Sequence, residues 1–308
     1  MTTTASEPTV RLGVDLGGTK IAGVALAQDD SVLAEHRIAT PQHDYMATVR
    51  ALGEMVAALE QMARQRGTVG IGMPGSISPS SGFVQNANST WLNGQPLAHD
   101  VEAHLGRAVR FANDANCFAL SEAVDGAGAG ARSVFGVILG TGCGGGLVFG
   151  DHLIDGPRGI GGEWGHNPLP WAHSDEHPGP RCWCGRYGCM ETWVSGSGLE
   201  ADHERVTGRK ISARDIAALA ERGDTHAQAS LDRHASRLAR GLANVVNIFD
   251  PHVIVVGGGL SQLSHLYEVL PLRTAPYVFA EAAPVVVRPP RWGDASGVRG
   301  AARLWEKT

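Results

Sequence analysis

Two stretches decide the fold: VRLGVDLGGTKIAGVAL at residues 10–26 and SVFGVILGTGCGGGLVF at residues 133–149. Each is an apolar run, a Gly/Thr-rich break and a second apolar run, the pattern of a strand, a tight turn and another strand. The two hairpins open the two halves of a 308-residue chain. Their separation is far too long for a solenoid repeat. They therefore predict two similar lobes, each aiming a glycine turn at a shared cleft.

Outward from the hairpins, strands alternate with helices. Met46, Val49, Leu52, Met55, Val56, Leu59 and Met62 recur at helical spacing between Tyr45 and Arg64, and Gly67 ends that run. VGIGMPG (69–75) reads as a strand entering a Pro-Gly turn, and VRFANDAN (109–116) as a strand entering a polar loop. The second half predicts helices over 211–220 and 227–248, a buried strand over 251–261 ending in three glycines, and a last helix over 296–305. The class is α/β.

Composition bounds the function. Hydrophobic residues are 43% and charged residues 19%, which is globular and not disordered. Lys and Arg number 26 against 31 Asp and Glu, a formal charge of −5, which disfavours a surface built to neutralise nucleic-acid phosphates. No run of ~18 apolar residues occurs, and the N-terminus lacks the basic and apolar regions of a signal peptide. The expectation is a cytoplasmic protein without membrane or nucleic-acid partners. Glycine is the outlier, 41 residues or about 13% against a usual ~7%, which suggests close backbone approach to a ligand.

Gly13-x-x-x-x-Gly18-Thr19-Lys20 misses the P-loop pattern, and Gly140-x-Gly142-x-x-Gly145 matches the dinucleotide fingerprint only as letters. In both a strand follows where those motifs need a helix. Duplicated glycine turns, with Gly257, Gly258 and Gly259 after a third strand, still favour phosphate binding over ordinary turns. Asp15, alone in an apolar run, calls for a partner or a metal. Cys182-x-Cys184-x4-Cys189 does not fit a secreted disulfide framework. With one imidazole it suits a closed, structural tetrahedral Zn²⁺ site; His166 is the expected fourth ligand, with His173 and His177 as competitors. Cys117 and Cys143 read as core or turn residues.

Asn113-Asp114-Ala115-Asn116 is by itself most often a turn or helix cap. With Glu163 and Glu191 tied to the metal-shaped loop, it becomes a set of fixed polar groups suited to a polyol. Together with phosphate loops, these suggest phosphoryl transfer to a sugar hydroxyl. Trp91 and Trp171 fit either a sugar pocket or the core.

DLGGTK (15–20), GMPG (72–75), NDAN (113–116), GTGCGGG (140–146), GGEWGH (161–166), CWCGRYGCME (182–191) and VVGGGLS (255–261), in this order, resemble the ROK family of sugar kinases over about residues 11–303. NANSTWLNGQPL (86–97), SEAVDGAGAG (121–130) and EWGHNPLPW (163–171) look most like its bacterial fructokinase, or manno(fructo)kinase, branch. The resemblance implies an α/β, two-lobed, duplicated actin-like ATPase fold with a central cleft and a zinc-stabilised loop. It implies a small lobe over 1–117, rejoined by a C-terminal helix over 295–308, and a large lobe over 118–294. Asp114 would be the base; Gly75, Asn88, Asn113, Asp114, Glu163, His166 and Glu191 would hold the sugar. Asp15, Gly17, Gly18, Thr19, Lys20, Thr141, Gly142, Gly257, Gly258 and Gly259 would bind ATP and Mg²⁺. His166, Cys182, Cys184 and Cys189 would bind Zn²⁺. The implied reaction is ATP-dependent phosphorylation of a hexose, D-fructose first, at O6. N-acetylglucosamine kinase or glucokinase is the alternative, and a non-catalytic sugar-binding regulator a further one. The family's repressors carry a helix-turn-helix domain ahead of the sugar-binding part, and about nine residues before the first strand leave no room for one. A homodimer is what the family suggests.

Overall fold

The computed structural model describes residues 10–281 and 284–305; the parts of the expected lobes that fall on 1–9, 282–283 and 306–308 lie outside the described residues. The chain forms two compact units. One runs to Ser121 and includes His152–Gly161 and the chain from Asp294; the other comprises Glu122–Asp151 and Gly162–Gly293. The division expected after Cys117 thus falls inside the helix Asp114–Val124, and His152–Gly161, expected in the large lobe, groups with the first unit.

The first unit is built on β1 (Arg11–Leu16), β2 (Lys20–Leu26), β3 (Val32–Ala39), β4 (Thr68–Met73) and β5 (Arg110–Asn113), in the order β3-β2-β1-β4-β5. β1 pairs antiparallel with β2 and parallel with β4, which pairs parallel with β5. Strand alternation gives each face its own cover. Leu12, Val14 and Leu16 point to the face packed by Val49, Leu52, Met55, Val56 and Leu59 of the helix Tyr45–Ala63. Gly13 and Gly70 belong to the opposite face, under the helix Ser296–Ala302; a Cβ on either would lie 1.9 Å from a carbonyl oxygen, of Val298 or Ala301. These glycines serve helix–strand approach, so part of the glycine excess belongs to packing and not to ligand binding.

The second unit repeats the plan. β6 (Ser133–Leu139) pairs antiparallel with β7 (Cys143–Phe149) and parallel with β8 (Val253–Gly257), which pairs parallel with β9 (Val287–Arg288). The order β7-β6-β8-β9 matches β2-β1-β4-β5 in position and direction. The 25-residue helix Thr225–Phe249 buries Leu231, Ala235, Leu238, Leu242, Val245 and Val246 in a core shared with Phe135, Val137, Leu139, Ile254 and Val256. The helices predicted at 211–220 and 227–248 are observed as Ala213–Glu221 and Thr225–Phe249. Two helices escape the sequence reading: Leu97–Leu105, whose stripe Leu97, Val101 and Leu105 spans only nine residues, and Gly196–Thr207, which starts on glycines and has few apolar residues. Among the described residues no helix is long and apolar enough to cross a membrane.

Candidate functional site

In the first unit, β5 ends in Asn113 and a helix begins at Asp114, where the sequence suggested a polar loop. The reason is local. The Asn113 side-chain oxygen accepts the N–H groups of Ala115 at 2.8 Å and Asn116 at 3.3 Å, so it caps the helix. Its amide donates to the Gly75 carbonyl at 3.2 Å. Asp114 Oδ1 accepts the Ala115 N–H at 2.8 Å. Asp114 is an exposed residue, yet protein crowds its carboxyl group. That desolvation raises its pKa against the pull of the Ala115 N–H. Asp15 on β1 is pushed up to about 6 by burial and by the Asp114 charge, with Lys20 partly opposing. Two neighbouring carboxylates that disfavour each other's charge can take up a proton or attract a divalent cation.

The turn after β1 is braced from outside. Thr40 Oγ1 donates to the Gly17 carbonyl at 2.7 Å and the Gln42 amide to that of Gly18 at 2.9 Å. Gly18, Thr19 and Lys20 are exposed. Gly75 takes φ +69° at the turn after β4, a left-handed conformation that suits glycine. Asn88 lies exposed just before the helical turn Thr90–Leu92.

In the second unit, the loop after the glycine-rich hairpin carries a compact cluster. One ligand atom from each of His166, Cys182, Cys184 and Cys189 lies within 4.8 Å of the others. His166 Nδ1 is 3.6 Å from Cys182 Sγ, and Cys184 and Cys189 sulfurs are 3.6 Å apart. A tetrahedral ion with ~2.3 Å Zn–S bonds would set sulfurs ~3.8 Å apart. Burial and the neighbouring sulfurs push the Cys189 thiol up to about 12, so three thiolates this close call for a cation among them. His173 and His177, the competing ligands, stand outside the cluster.

The rest of the loop is seated on β7. Trp164 donates its indole N–H to the Gly144 carbonyl at 3.0 Å. A Cβ on Gly145 would meet the Trp164 ring at 2.7 Å, so these glycines receive the loop. Glu163 is half-buried just before the turn Trp164–His166. Glu191 follows the last cysteine; its Oε2 accepts the Cys143 N–H at 3.0 Å and its Oε1 the Trp183 indole N–H at 2.6 Å. A second anchor grips the loop between His166 and Cys182. Buried Glu176 accepts from Arg240 Nη1 and Nη2, both at 2.8 Å, and from Arg237 Nε at 2.9 Å. Burial pushes its carboxyl up, but those bonds outweigh it and bring the pKa to about 2.

A cavity of 1130 Å³ also opens in the second unit, lined by Gly140, Thr141, Ser197, Gln228, Gly259 and Leu260 among others. Of the predicted phosphate and nucleotide residues, Thr141 and Gly259 line it. Gly142 lies instead under Glu191, Gly257 is buried at the end of β8, and Gly258 turns the chain at φ +79°. Ser197 and Gln228 were not foreseen, although Ser195-Gly196-Ser197-Gly198 carries a helix-start signal: Ser195 accepts the Gly198 N–H at 3.0 Å. Trp183 was also missed. Trp91 donates to Thr48 Oγ1 at 3.4 Å, and Trp171 faces Tyr277 with ring centroids 5.1 Å apart. Cys117 and Cys143 are buried.

With this geometry in view, comparison places the chain. The ROK family model matches residues 11–308, and the chain belongs to the ROK family. It has the two-lobed, actin-like ATPase fold of that family's sugar kinases and is itself an ATP-dependent sugar kinase. It is 41% identical to the N-acetyl-D-glucosamine kinase of Vibrio cholerae, over 95% of this chain and 98% of that one. The ROK hexokinase of Thermus thermophilus superposes with a TM-score of 0.85 at 34% identity, covering 95% of this chain and 96% of the other. A ROK glucokinase from Streptomyces griseus, solved with glucose and AMPPNP, gives 0.77 at 29%, covering 96% and 98%. The expected D-fructose preference finds no support in these relatives, and the alternative of N-acetylglucosamine fits them better. That expectation rests on three short motifs, 86–97, 121–130 and 163–171, a small part of the chain.

Proposed function

We propose that this sugar kinase transfers the γ-phosphoryl group of Mg·ATP to the primary hydroxyl, O6, of N-acetylglucosamine. The observation that carries the choice of acceptor is the 41% identity with the Vibrio cholerae enzyme over 95% of the chain. Phosphoryl transfer needs positioning and charge neutralisation more than covalent help. Asp114 orients the acceptor hydroxyl and takes its proton as the new O–P bond forms and ADP leaves. Asn113, locked by its capping bonds, and Glu163 hold neighbouring hydroxyls, with Gly75 and Asn88 shaping the edge of the site.

On the zinc loop, His166 turns Nδ1 toward the sulfurs and so offers Nε2 to the sugar, while Glu191 accepts from a hydroxyl. His166, Cys182, Cys184 and Cys189 would hold a structural Zn²⁺ that supplies rigidity, since four protein ligands would leave no position for water activation. Asp15 would hold the Mg²⁺ that accompanies ATP, and the turn at Gly17–Lys20, closed by the Gly17 N–H on the Lys20 carbonyl at 3.0 Å and exposed from Gly18 to Lys20, would present its remaining N–H groups to phosphate. The 1130 Å³ cavity, with Thr141 and Gly259 at its wall, receives the nucleoside. Phosphorus NMR of a reaction with Mg·ATP and N-acetylglucosamine is expected to show a 6-phosphate monoester. A reaction that yields product from glucose and none from N-acetylglucosamine would overturn the acceptor and keep the kinase.

A further inference from the structure

Trp183 is the large side chain that the proposed mechanism leaves without a task. It stands between the ligands Cys182 and Cys184 and is 63% exposed. Exposure of this size on a free loop would mean little. Here the backbone is held on either side, by the Cys182 N–H on the Arg186 carbonyl at 2.8 Å and the Gly185 N–H on the Cys182 carbonyl at 3.0 Å, and the indole is fixed at two further points. Its N–H donates to Glu191 Oε1 at 2.6 Å, and its ring meets His166 edge-on with centroids 5.0 Å apart and planes at 84°. An aromatic side chain held rigidly in water, touching two groups of a polar site, is arranged to meet a ligand.

We propose that Trp183 determines acceptor specificity: its N–H aims the Glu191 carboxylate, and its exposed ring covers the apolar part of the bound sugar, the acetamido methyl group. The inference rests on the reading of Glu191 and His166 as sugar-binding groups. Glu191 has one oxygen held by Trp183 and the other by the Cys143 N–H, so its remaining lone pairs face fixed directions and select where a hydroxyl must sit. Indole pairs a polar handle with a broad apolar face. That combination suits a ring bearing hydroxyls on one side and a methyl-tipped amide on another.

Two variants separate these tasks. W183F keeps a ring without the N–H, and W183A removes both. For W183A, KM for N-acetylglucosamine is expected to rise about tenfold or more, the worth of a hydrogen bond to a charged group plus lost contact. KM for ATP and zinc content should stay as in the wild type and kcat should change far less than KM, which also shows that the fold is intact. W183F should fall between, and glucose, lacking the methyl group, should lose less than N-acetylglucosamine in both. N-acetylglucosamine added without ATP should change the wild-type tryptophan fluorescence, and W183F should lose most of that change. KM for N-acetylglucosamine within twofold of wild type in both variants would overturn the proposal. If the wild type prefers another sugar, the acceptor reading fails by itself, and the same KM shift measured with that sugar still decides whether Trp183 aims Glu191.

Discussion

Glu191 reaches the backbone N–H of Cys143 at 3.0 Å across Gly142, whose missing side chain leaves room for the carboxylate. A Cβ there would stand 2.8 Å from the Glu191 carboxylate. Gly142→Ala should therefore push the carboxylate off its N–H donor. The carboxylate ends a flexible chain, so the fold should lose little stability while KM for the sugar rises about tenfold, roughly one charge-assisted hydrogen bond. Steady-state kinetics beside a thermal melt check both halves; an unchanged KM would remove Glu191 from the sugar site.

Glu176 anchors the same loop from its other side. Glu176→Gln leaves the buried guanidinium group of Arg240 short of compensating charge, while Arg237 keeps Asp202 at 2.9 Å, and should cost about 3 kcal/mol at pH 7. The carboxyl has its folded pKa lowered to about 2 from 4.5, so its stabilisation is complete above the unfolded value and fades as pH falls from 4.5 toward 2. The gap between wild type and variant in urea unfolding should narrow over that window. A gap independent of pH would mean that packing, and not charge, holds the loop.

Asp15 carries the opposite sign. Its folded pKa is raised to about 6 from 3.8, so its ionisation opposes folding: the penalty is absent below pH 3.8 and complete above about 6. In metal-free buffer at pH 7.5, Asp15→Asn should melt higher than the wild type while its Mg-dependent turnover falls. A lower melting temperature would show that Asp15 has a stabilising partner instead.

The metal cluster gives a fourth test. Purified protein should carry about one Zn²⁺ per chain, and Cys184→Ala should lose zinc, sugar affinity and stability together, because His166 and Glu191 ride on the same loop. Elemental analysis finding active, folded protein without zinc would contradict this.

How far the sequence reaches depends on the kind of signal. Cysteine spacing alone points at a metal, and the structure brings Cys182, Cys184, Cys189 and His166 to one point. The hairpin repeat is legible because apolar runs around a glycine break survive any packing detail. Glycine roles are not legible: Gly13 and Gly145 fall in patterns that look like ligand loops, and only the packed structure shows a helix or a loop lying against them. The cavity wall at Gln228 and Ser197 hides for the same reason, since it is assembled from helices distant in sequence. Trp183 was invisible because a residue between two cysteines has no period to betray which way it points. The choice among hexose acceptors is weakly legible, because hexoses differ by one substituent or ring form and the few residues behind the D-fructose expectation do not separate them; the relatives favour the N-acetylglucosamine alternative.

Asp114 should act as a base. Asp114→Asn keeps the side-chain oxygen that accepts the Ala115 N–H and cannot take a proton, so kcat should fall ~10²–10⁴-fold with KM for ATP little changed. Retention of most of kcat would move the base elsewhere.

The central claim, an ATP-dependent sugar kinase whose acceptor is N-acetylglucosamine, is tested most directly by kcat/KM in one coupled ATP assay across N-acetylglucosamine, glucose, mannose and fructose. The expected result is the highest value for N-acetylglucosamine, with glucose next and fructose poor. A highest value for fructose, or no ATP consumption with any of the four, would contradict the account.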